Sequence, residues 1–448
     1  AKCRGGDIMF FRLNAFAFLV VGGINYSIYD MKKNHIYILD RQAGMLVEKL
    51  EKNMSLESIE QYEKNKDKYL KFLSLLVKNR LGDFYDNAIH IEKFQFSAPF
   101  QKKGMLEPVP QYVKCYLEIS NECNLKCSFC GKPEYVNWLN CQSCFRNQVH
   151  QSANIQYDKL IEELEDICVG ELILGGKEPL SKIDAIYKIA NECKKKHRIS
   201  LTIVTPGNVD TNEILSVSQL YEKIRWNIVV FGTCNYFEFL NKDMQDLVVR
   251  QKRLFYELRE HNVPYTITFQ LYEENKKYAE DIINDIKNEF GVIPVVADIV
   301  DANKKEKLTH IKKKQKVLSQ YKNPREFYLR KTYNPCLYGV FSIDLFGNIS
   351  PCPGIHRTIG NIADSTLHEI LSKEDLYSYW THSKDKISFC KNCAMRYFCS
   401  DCSVFELMPY QNAEVHNMYC PTNVDGETVD ISNVEFKNWD KEYLSLDC

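Results

Sequence analysis

The chain has 448 residues, 45% hydrophobic and 26% charged, the balance of a folded globular protein rather than a disordered or fibrous one. Lys+Arg 58 against Asp+Glu 59 leave a net charge of -1, so no global basic field draws the chain to nucleic acid or to an anionic membrane. The longest apolar run, Leu13 to Ile24, is broken by Asn14, Gly22 and Gly23 and falls far short of the ~20 residues of a membrane span.

No basic segment with a cleavage site surrounds that run, so the sequence predicts no secretory signal and a cytoplasmic location. In a reducing compartment, 18 clustered cysteines point to metal or catalysis rather than to disulfides. At ~150 residues per domain the length predicts about three domains.

Ala1 to Ile8 precede the first methionine and are set aside as an expression remnant. Ile24 to Asp30 and His35 to Asp40 then alternate around a polar Met31–Asn34 turn, which predicts a hairpin. Helical periodicity follows in Met45, Leu46 and Leu50, and again in Leu70, Phe72, Leu73 and Leu76. Two strands and three helices are expected here, a winged-helix-like module.

From Gln111 the rhythm becomes alternating strand and helix. The expected strands are Val113–Ile119, Glu171–Leu174, Ile199–Thr205, Trp226–Phe231, Tyr265–Gln270 and Ile293–Ile299. Amphipathic segments such as Tyr157–Cys168 and Lys277–Phe290 lie between them. Six β-α units imply an α/β fold, a parallel sheet or barrel with its chemistry at the carboxyl ends of the strands. A Lys-rich stretch, Lys304 to Lys331, reads as a solvated linker before a Cys-rich tail that begins at Cys336.

Directly after the first barrel strand, Cys123, Cys127 and Cys130 stand in a C-x3-C-x2-C spacing on the loop where a barrel carries its site. Three thiolates can hold three irons of a [4Fe–4S] cluster and leave the fourth for another ligand. Zinc is the alternative, but it takes four ligands and this triplet has no evident fourth. The tail has Cys336, Gly347 and Cys352, then Cys390, Cys393, Cys399 and Cys402 in two C-x2-C pairs, and Cys420 beyond. Taken alone, the quartet Cys390, Cys393, Cys399 and Cys402 suits a zinc ribbon as well as iron–sulfur.

The C-x3-C-x-Phe-C loop ahead of β-α units resembles the radical SAM superfamily. That resemblance implies a partial (β/α)6 barrel, a [4Fe–4S] cluster on Cys123, Cys127 and Cys130, and S-adenosylmethionine (SAM) on its open iron. It further implies Phe129 beside the adenine. Leu172 to Pro179 reads LILGGKEP, where the family has a GGEP motif at the SAM amino group. Lys177 is inserted, so either Glu178 or backbone carbonyls near Gly175 and Gly176 meet the ammonium. Thr205, in Thr205-Pro206-Gly207, stands where relatives approach the ribose.

The tail resembles the SPASM extension, which implies two auxiliary [4Fe–4S] clusters and three in all. Cys336, Cys352 and Cys402 would serve the first, and Cys390, Cys393, Cys399 and Cys420 the second. The first then lacks a fourth thiolate, its last position being open to substrate or filled by Cys448 or a non-Cys ligand.

Cys234 follows the fourth strand and is a candidate hydrogen-atom donor, as in peptide epimerases of the superfamily, or a small buried hydrophobe. Cys141 and Cys144 form another C-x2-C pair that could cap the site, ligate metal, cycle as a dithiol or be solvent-side thiols. Cys3, Cys115, Cys168 and Cys193 read as packing or remnant residues. The N-terminal module resembles the RiPP recognition element, which binds leader peptides by adding a strand to a sheet edge.

The expected domains are 9–108 (leader binding), 109–310 (radical SAM barrel), 311–335 (linker) and 336–448 (SPASM). The resemblance implies a maturase that crosslinks a ribosomally made precursor peptide, through a thioether or carbon–carbon bond, with electrons from a flavodoxin or ferredoxin. Peptide epimerases, sulfatase-type maturases and a non-enzymatic peptide-binding or zinc scaffold are the alternatives.

Overall fold

A computed structural model describes residues 8–95, 114–146, 155–301, 324–387, 390–399, 402–404, 423–425, 428–430 and 440–446. The N-terminal unit contains β1 (Phe10–Leu13), β2 (Ala17–Val21), β3 (Tyr26–Asp30), β4 (His35–Leu39), α1 (Arg41–Glu51), α2 (Tyr62–Lys78) and β5 (Gly82–Tyr85). Strands β2, β3 and β4 form an antiparallel meander, and β1 pairs with β5. The expected hairpin is therefore two strands of a larger sheet. The apolar run Leu13–Ile24 supplies β2, whose Ala17, Phe18 and Val20 are buried. A third helix is not present among the described residues, where a single 3-10 turn, Leu56–Ser58, joins α1 to α2. Helix α1 starts where the Asp40 carboxylate accepts the Ala43 N–H at 2.8 Å, a cap that contributes about 1 kcal/mol.

The barrel follows as β6 (Lys114–Ser120), β7 (Tyr135–Trp138), α3 (Tyr157–Asp166), β8 (Glu171–Gly176), α4 (Ile183–Lys196), β9 (Ser200–Thr205), α5 (Thr211–Ser218), β10 (Ile224–Val230), α6 (Lys242–Glu260), β11 (Tyr265–Leu271), α7 (Ala279–Phe290) and β12 (Val295–Asp301). Strands β6, β8, β9, β10, β11 and β12 pair in that order, all parallel. All six were expected, each within about two residues, because strands buried on both faces read as continuous apolar runs. Strand β7 was not. It leaves the cysteine loop after β6 and pairs antiparallel with β12 at the far edge, so the loop crosses the mouth of the open barrel.

Within the segment expected as a linker, Pro324–Thr332 is a helix with Phe327 buried. Residues 302–323 of that segment lie outside the described residues. Next, β13 (Val340–Ile343) pairs parallel with β6 and carries β14 (Asn348–Ser350) and β15 (Gly360–Asn361), extending the sheet to ten strands. A small hairpin, β16 (Asn423–Asp425) and β17 (Thr428–Asp430), precedes β18 (Asp440–Leu444). Strand β18 returns to the N-terminal sheet and pairs parallel with the edge of β4.

The other face of that sheet packs Phe18, Tyr29 and Ile38 against Cys393, Met395 and Phe398. Ser27 Oγ donates to the Ala394 carbonyl at 2.7 Å, and Gly23 N–H to that of Asn392 at 2.8 Å. The N-terminal sheet and the segment from Asn392 to Phe398 are thus packed together. No helix among the described residues is long and apolar enough to cross a membrane.

Candidate iron–sulfur and SAM site

The loop after β6 brings Cys123, Cys127 and Cys130 together: each is an electrostatic neighbour of another. Lys126, at φ 49°, and Gly131, at φ 78°, turn the chain tightly around them. The Asn241 side chain donates to the Leu125 carbonyl at 2.9 Å, and Asn208 bonds Asn124, so α6 and the β9 turn both hold the loop. Burial, then the neighbouring Cys130 and Cys123, push the Cys127 thiol up. Bound metal reverses that tendency, because it takes the thiolate. A fourth thiol, Cys144, is buried beside these three and Glu178. Phe129 packs at 3% exposure against Tyr272, ring centroids 4.7 Å apart, with Phe145 and Phe231 nearby.

Strand β8 ends against this loop. Gly176 has φ +121°, and a Cβ there would overlap the Ser120 carbonyl oxygen, so only glycine fits. The Lys177 and Glu178 N–H groups donate to the carbonyls of Ser120, at 3.0 Å, and Glu122, at 3.2 Å. The Glu178 carboxylate turns inward, with the residue 4% exposed. It accepts from Leu180 N–H at 3.1 Å, Thr205 Oγ1 at 2.6 Å and Asn208 N–H at 3.1 Å. Burial raises its pKa, and these hydrogen bonds oppose the rise. Thr205 is fully buried and its oxygen also accepts the Gly207 N–H at 2.8 Å. Glu178 and Thr205 therefore brace the turns around the loop.

A short segment after β7 fills the barrel. Gln142 takes Asn227 at 2.9 Å, Ser143 bonds Gln270, and Arg146 pairs with Glu118. The Arg146 carbonyl accepts the Cys130 thiol at 3.6 Å and the Gly131 N–H at 2.7 Å. Its side chain lines a cavity of about 280 Å³ with Glu118, Asp344, Cys352 and His356. Arg146, Asn208 and Asn241 were missed by the sequence reading. Their only signal is polar side chains near strand ends, which spacing does not distinguish from surface residues.

The tail thiols do not all fall into one group. Cys402 is hydrogen-bonded to Cys336 and has Cys141 and Cys352 as its other thiol neighbours. Cys390 and Cys393 are buried and Cys399 is half-buried. Cys393 belongs instead to the cluster of side chains under the N-terminal sheet. Among the described residues, no three His, Cys, Asp or Glu side chains are placed to hold a single metal ion. Cysteine thiolates are the ligands of [4Fe–4S] clusters, so this donor set fits iron–sulfur. Cys420 and Cys448 lie outside the described residues, as does Cys3.

Cys234 is not brought to the loop. Its charged neighbours are Lys252 of α6 and Glu289 and Asp285 of α7, and no cluster-loop thiol is among them. Cys115 and Cys193 are buried as expected, whereas Cys168 is exposed, in a left-handed turn after α3.

Residues 117–286 match the radical SAM superfamily, and residues 336–394 match an iron-sulfur cluster-binding domain, SPASM. The chain carries a radical SAM domain followed by a SPASM domain. Among solved structures it is similar to anSMEcpe with bound AdoMet, at 16% identity over 68% of this chain and 91% of that one, TM-score 0.49. It is also similar to Streptococcus suis SuiB bound to S-adenosylmethionine, at 15% identity over 88% and 96%, TM-score 0.43. SuiB bound to precursor peptide SuiA gives 15% identity over 89% and 95%, TM-score 0.43. No curated protein matches the sequence. The radical SAM match begins in β6 and ends in α7, so it spans the parallel strands β8 to β11 and the cysteine loop. The SPASM match opens at Cys336 and includes β13 to β15, Cys352, Cys390 and Cys393.

Proposed function

We propose that the protein is a radical SAM oxidoreductase that installs an oxidative crosslink, a thioether or a carbon–carbon bond, in a ribosomally synthesised precursor peptide. The observation that supports this is a cavity of about 280 Å³ that Cys352 of the tail lines together with Arg146, a residue bonded to the cluster loop.

When bound at Cys123, Cys127 and Cys130, the cluster and SAM supply a 5′-deoxyadenosyl radical. The chain's own residues do the rest. Asn208 and Asn241 fix the loop, and Gly176 lets the end of β8 approach it. The Glu178 carboxylate accepts three bonds from the chain, and the SAM ammonium would meet its remaining lone pair or backbone carbonyls near Gly175 and Gly176. Phe129 holds the adenine side through its backbone, its ring being buried. Glu118 and Arg146, paired with each other, give the cavity wall a polar, charge-balanced surface for a peptide.

In the crosslinking step the peptide gives one hydrogen atom to the radical and then a proton and an electron as the new bond closes. Cys336, Cys352 and Cys402 would hold one auxiliary cluster and Cys390, Cys393, Cys399 and Cys420 another, and such clusters would supply an acceptor for that electron, three [4Fe–4S] clusters in total. A flavodoxin- or ferredoxin-type reductant supplies the first electron, and the protein works in the cytoplasm. The N-terminal unit binds the leader. Its sheet has β18 on the β4 edge, while Lys93 and Arg396 donate to the Ala17 and Val21 carbonyls of β2. A leader strand would enter at β4 in the place of β18.

Anaerobic reaction with a precursor peptide, read by mass spectrometry in light water and in D2O, tests this. The product should be two hydrogens lighter, about 2 Da per link, with SAM consumed as co-substrate. A product of unchanged mass in light water that gains one deuterium per centre in D2O would overturn the crosslinking reading in favour of epimerisation.

A further inference from the structure

We propose that Cys141, a residue of the barrel, completes the first auxiliary site, so that its [4Fe–4S] cluster is held by Cys141, Cys336, Cys352 and Cys402 and has no iron open to substrate. The inference rests on the reading of the tail as cluster-binding and deepens it. No cysteine lies between Leu337 and Gly347 to serve as a local fourth ligand, and the position must be filled from elsewhere or left open.

The fold brings Cys141 there by two fastenings. Asn140 Nδ2 donates to the Pro353 carbonyl at 2.9 Å, and both residues are buried at the join. This ties the residue before Cys141 to the residue after Cys352. On the other side Asn334 Oδ1 accepts from Cys336 N–H at 2.9 Å, Leu337 N–H at 3.1 Å and Ser403 Oγ at 3.0 Å. That hub holds the Cys336 turn against the residue after Cys402. Four chain segments, distant in sequence, therefore converge with a cysteine each. The side chains agree with the backbone: Cys402 is bonded to Cys336, with Cys141 and Cys352 as further neighbours, and Cys141 has Cys336 beside it and a hydrogen bond to Tyr116 of β6. Cys144 is not an alternative, because its thiol neighbours are Cys123, Cys127 and Cys130.

Four protein thiolates saturate a cube, one per iron. A substrate sulfur then has no iron to bind, and this cluster can act on the peptide only by accepting an electron.

The test uses full-length protein carrying Cys123→Ala, Cys127→Ala and Cys130→Ala, which leaves only the auxiliary clusters, about 8 irons per chain. Mild oxidation with ferricyanide should give no [3Fe–4S] electron paramagnetic resonance signal, and added cyanide should leave the reduced spectrum unchanged. Adding Cys141→Ala should produce a [3Fe–4S] signal and cyanide sensitivity, with loss of up to about four irons if the cluster falls out. Cys141→Ser, which keeps a ligating oxygen, should retain the iron with a shifted spectrum. Full auxiliary iron with identical spectra in all three proteins would overturn the assignment alone. Cyanide sensitivity already present before Cys141 is changed would also overturn it. Absence of auxiliary iron from the starting protein would overturn the cluster reading of the tail and this inference with it.

Discussion

Gly176→Ala is the sharpest test of the contact between β8 and the cysteine loop. The new Cβ would overlap the Ser120 carbonyl oxygen and stand 3.1 Å from its carbon, at φ +121°. Backbone strain of this kind costs about 1–3 kcal/mol, and overpacking against atoms that cannot rotate away costs about 1–3 kcal/mol more. The chain can relieve roughly 2–6 kcal/mol only by parting β8 from β6, which breaks the Lys177 and Glu178 N–H bonds to Ser120 and Glu122. The cysteines sit on the other partner of that contact, so the cluster should be retained while SAM binding fails. Even about 2 kcal/mol is roughly a thirtyfold rise in Kd, readable by isothermal titration on anaerobically reconstituted protein. Gly175→Ala is the comparison, since its Cβ would meet only the tip of the Arg146 side chain, at 3.1 Å, with no unusual φ. It should weaken SAM by less than about threefold. Equal effects of the two substitutions, or wild-type SAM affinity and Tm in Gly176→Ala, would refute the reasoning.

Replacing Cys123, Cys127 and Cys130 together by Ala should remove about four of about 12 irons and all SAM cleavage, measured by iron assay and chromatography of 5′-deoxyadenosine. Deleting 9–98 should abolish peptide modification and also cost the second auxiliary cluster, about four irons, because the sheet packs on Cys393 and bonds Ala394. Full iron and unchanged turnover in the truncated enzyme would refute both roles. Removing 440–448 frees the β4 edge and should raise leader affinity in fluorescence anisotropy; an unchanged affinity would show that the leader does not enter there. Cys234→Ala should still crosslink, since its charged neighbours are Lys252, Glu289 and Asp285 rather than cluster thiols; a stalled reaction with unmodified peptide would place Cys234 in the chemistry.

The barrel was legible because its strands are buried on both faces. Runs such as Ile228-Val229-Val230 or Leu172-Ile173-Leu174 stay apolar at every position, which no amphipathic helix would do. Strand β7 was not legible for the opposite reason. Its four residues, Tyr135–Trp138, carry no alternation, and what makes them a strand is the waiting edge of β12. Strand β2 was hidden by its composition, since an apolar run too short for a membrane can be a strand or a helix. The expected third N-terminal helix failed because Ser55 caps only one tight turn, Leu56–Ser58, before Ile59 returns to extended backbone.

The site divides along the same line, between what spacing carries and what only folding brings together. Cys123, Cys127 and Cys130 were legible as a group, because a spacing that keeps three thiols on one short loop is itself a feature of the sequence. Glu178 shows one thing a motif leaves out: its carboxylate accepts from Leu180, Thr205 and Asn208 and so braces the turns around the loop. The tail quartet shows another, since Cys399-x2-Cys402 reads as one metal knuckle while the fold sends Cys402 to Cys336. Cys141 and Cys144 complete the point. Two residues separate them, too few to suggest different duties, yet Cys144 neighbours the loop thiols and Cys141 neighbours those of the tail. The segment they bracket is held by Asn227, Gln270 and Glu118 inside the barrel. One buried stretch of chain therefore fixes the position of one thiol group relative to the other. The proposed crosslinking, which would take a hydrogen atom at one group and pass an electron to the other, would depend on that fixed relation.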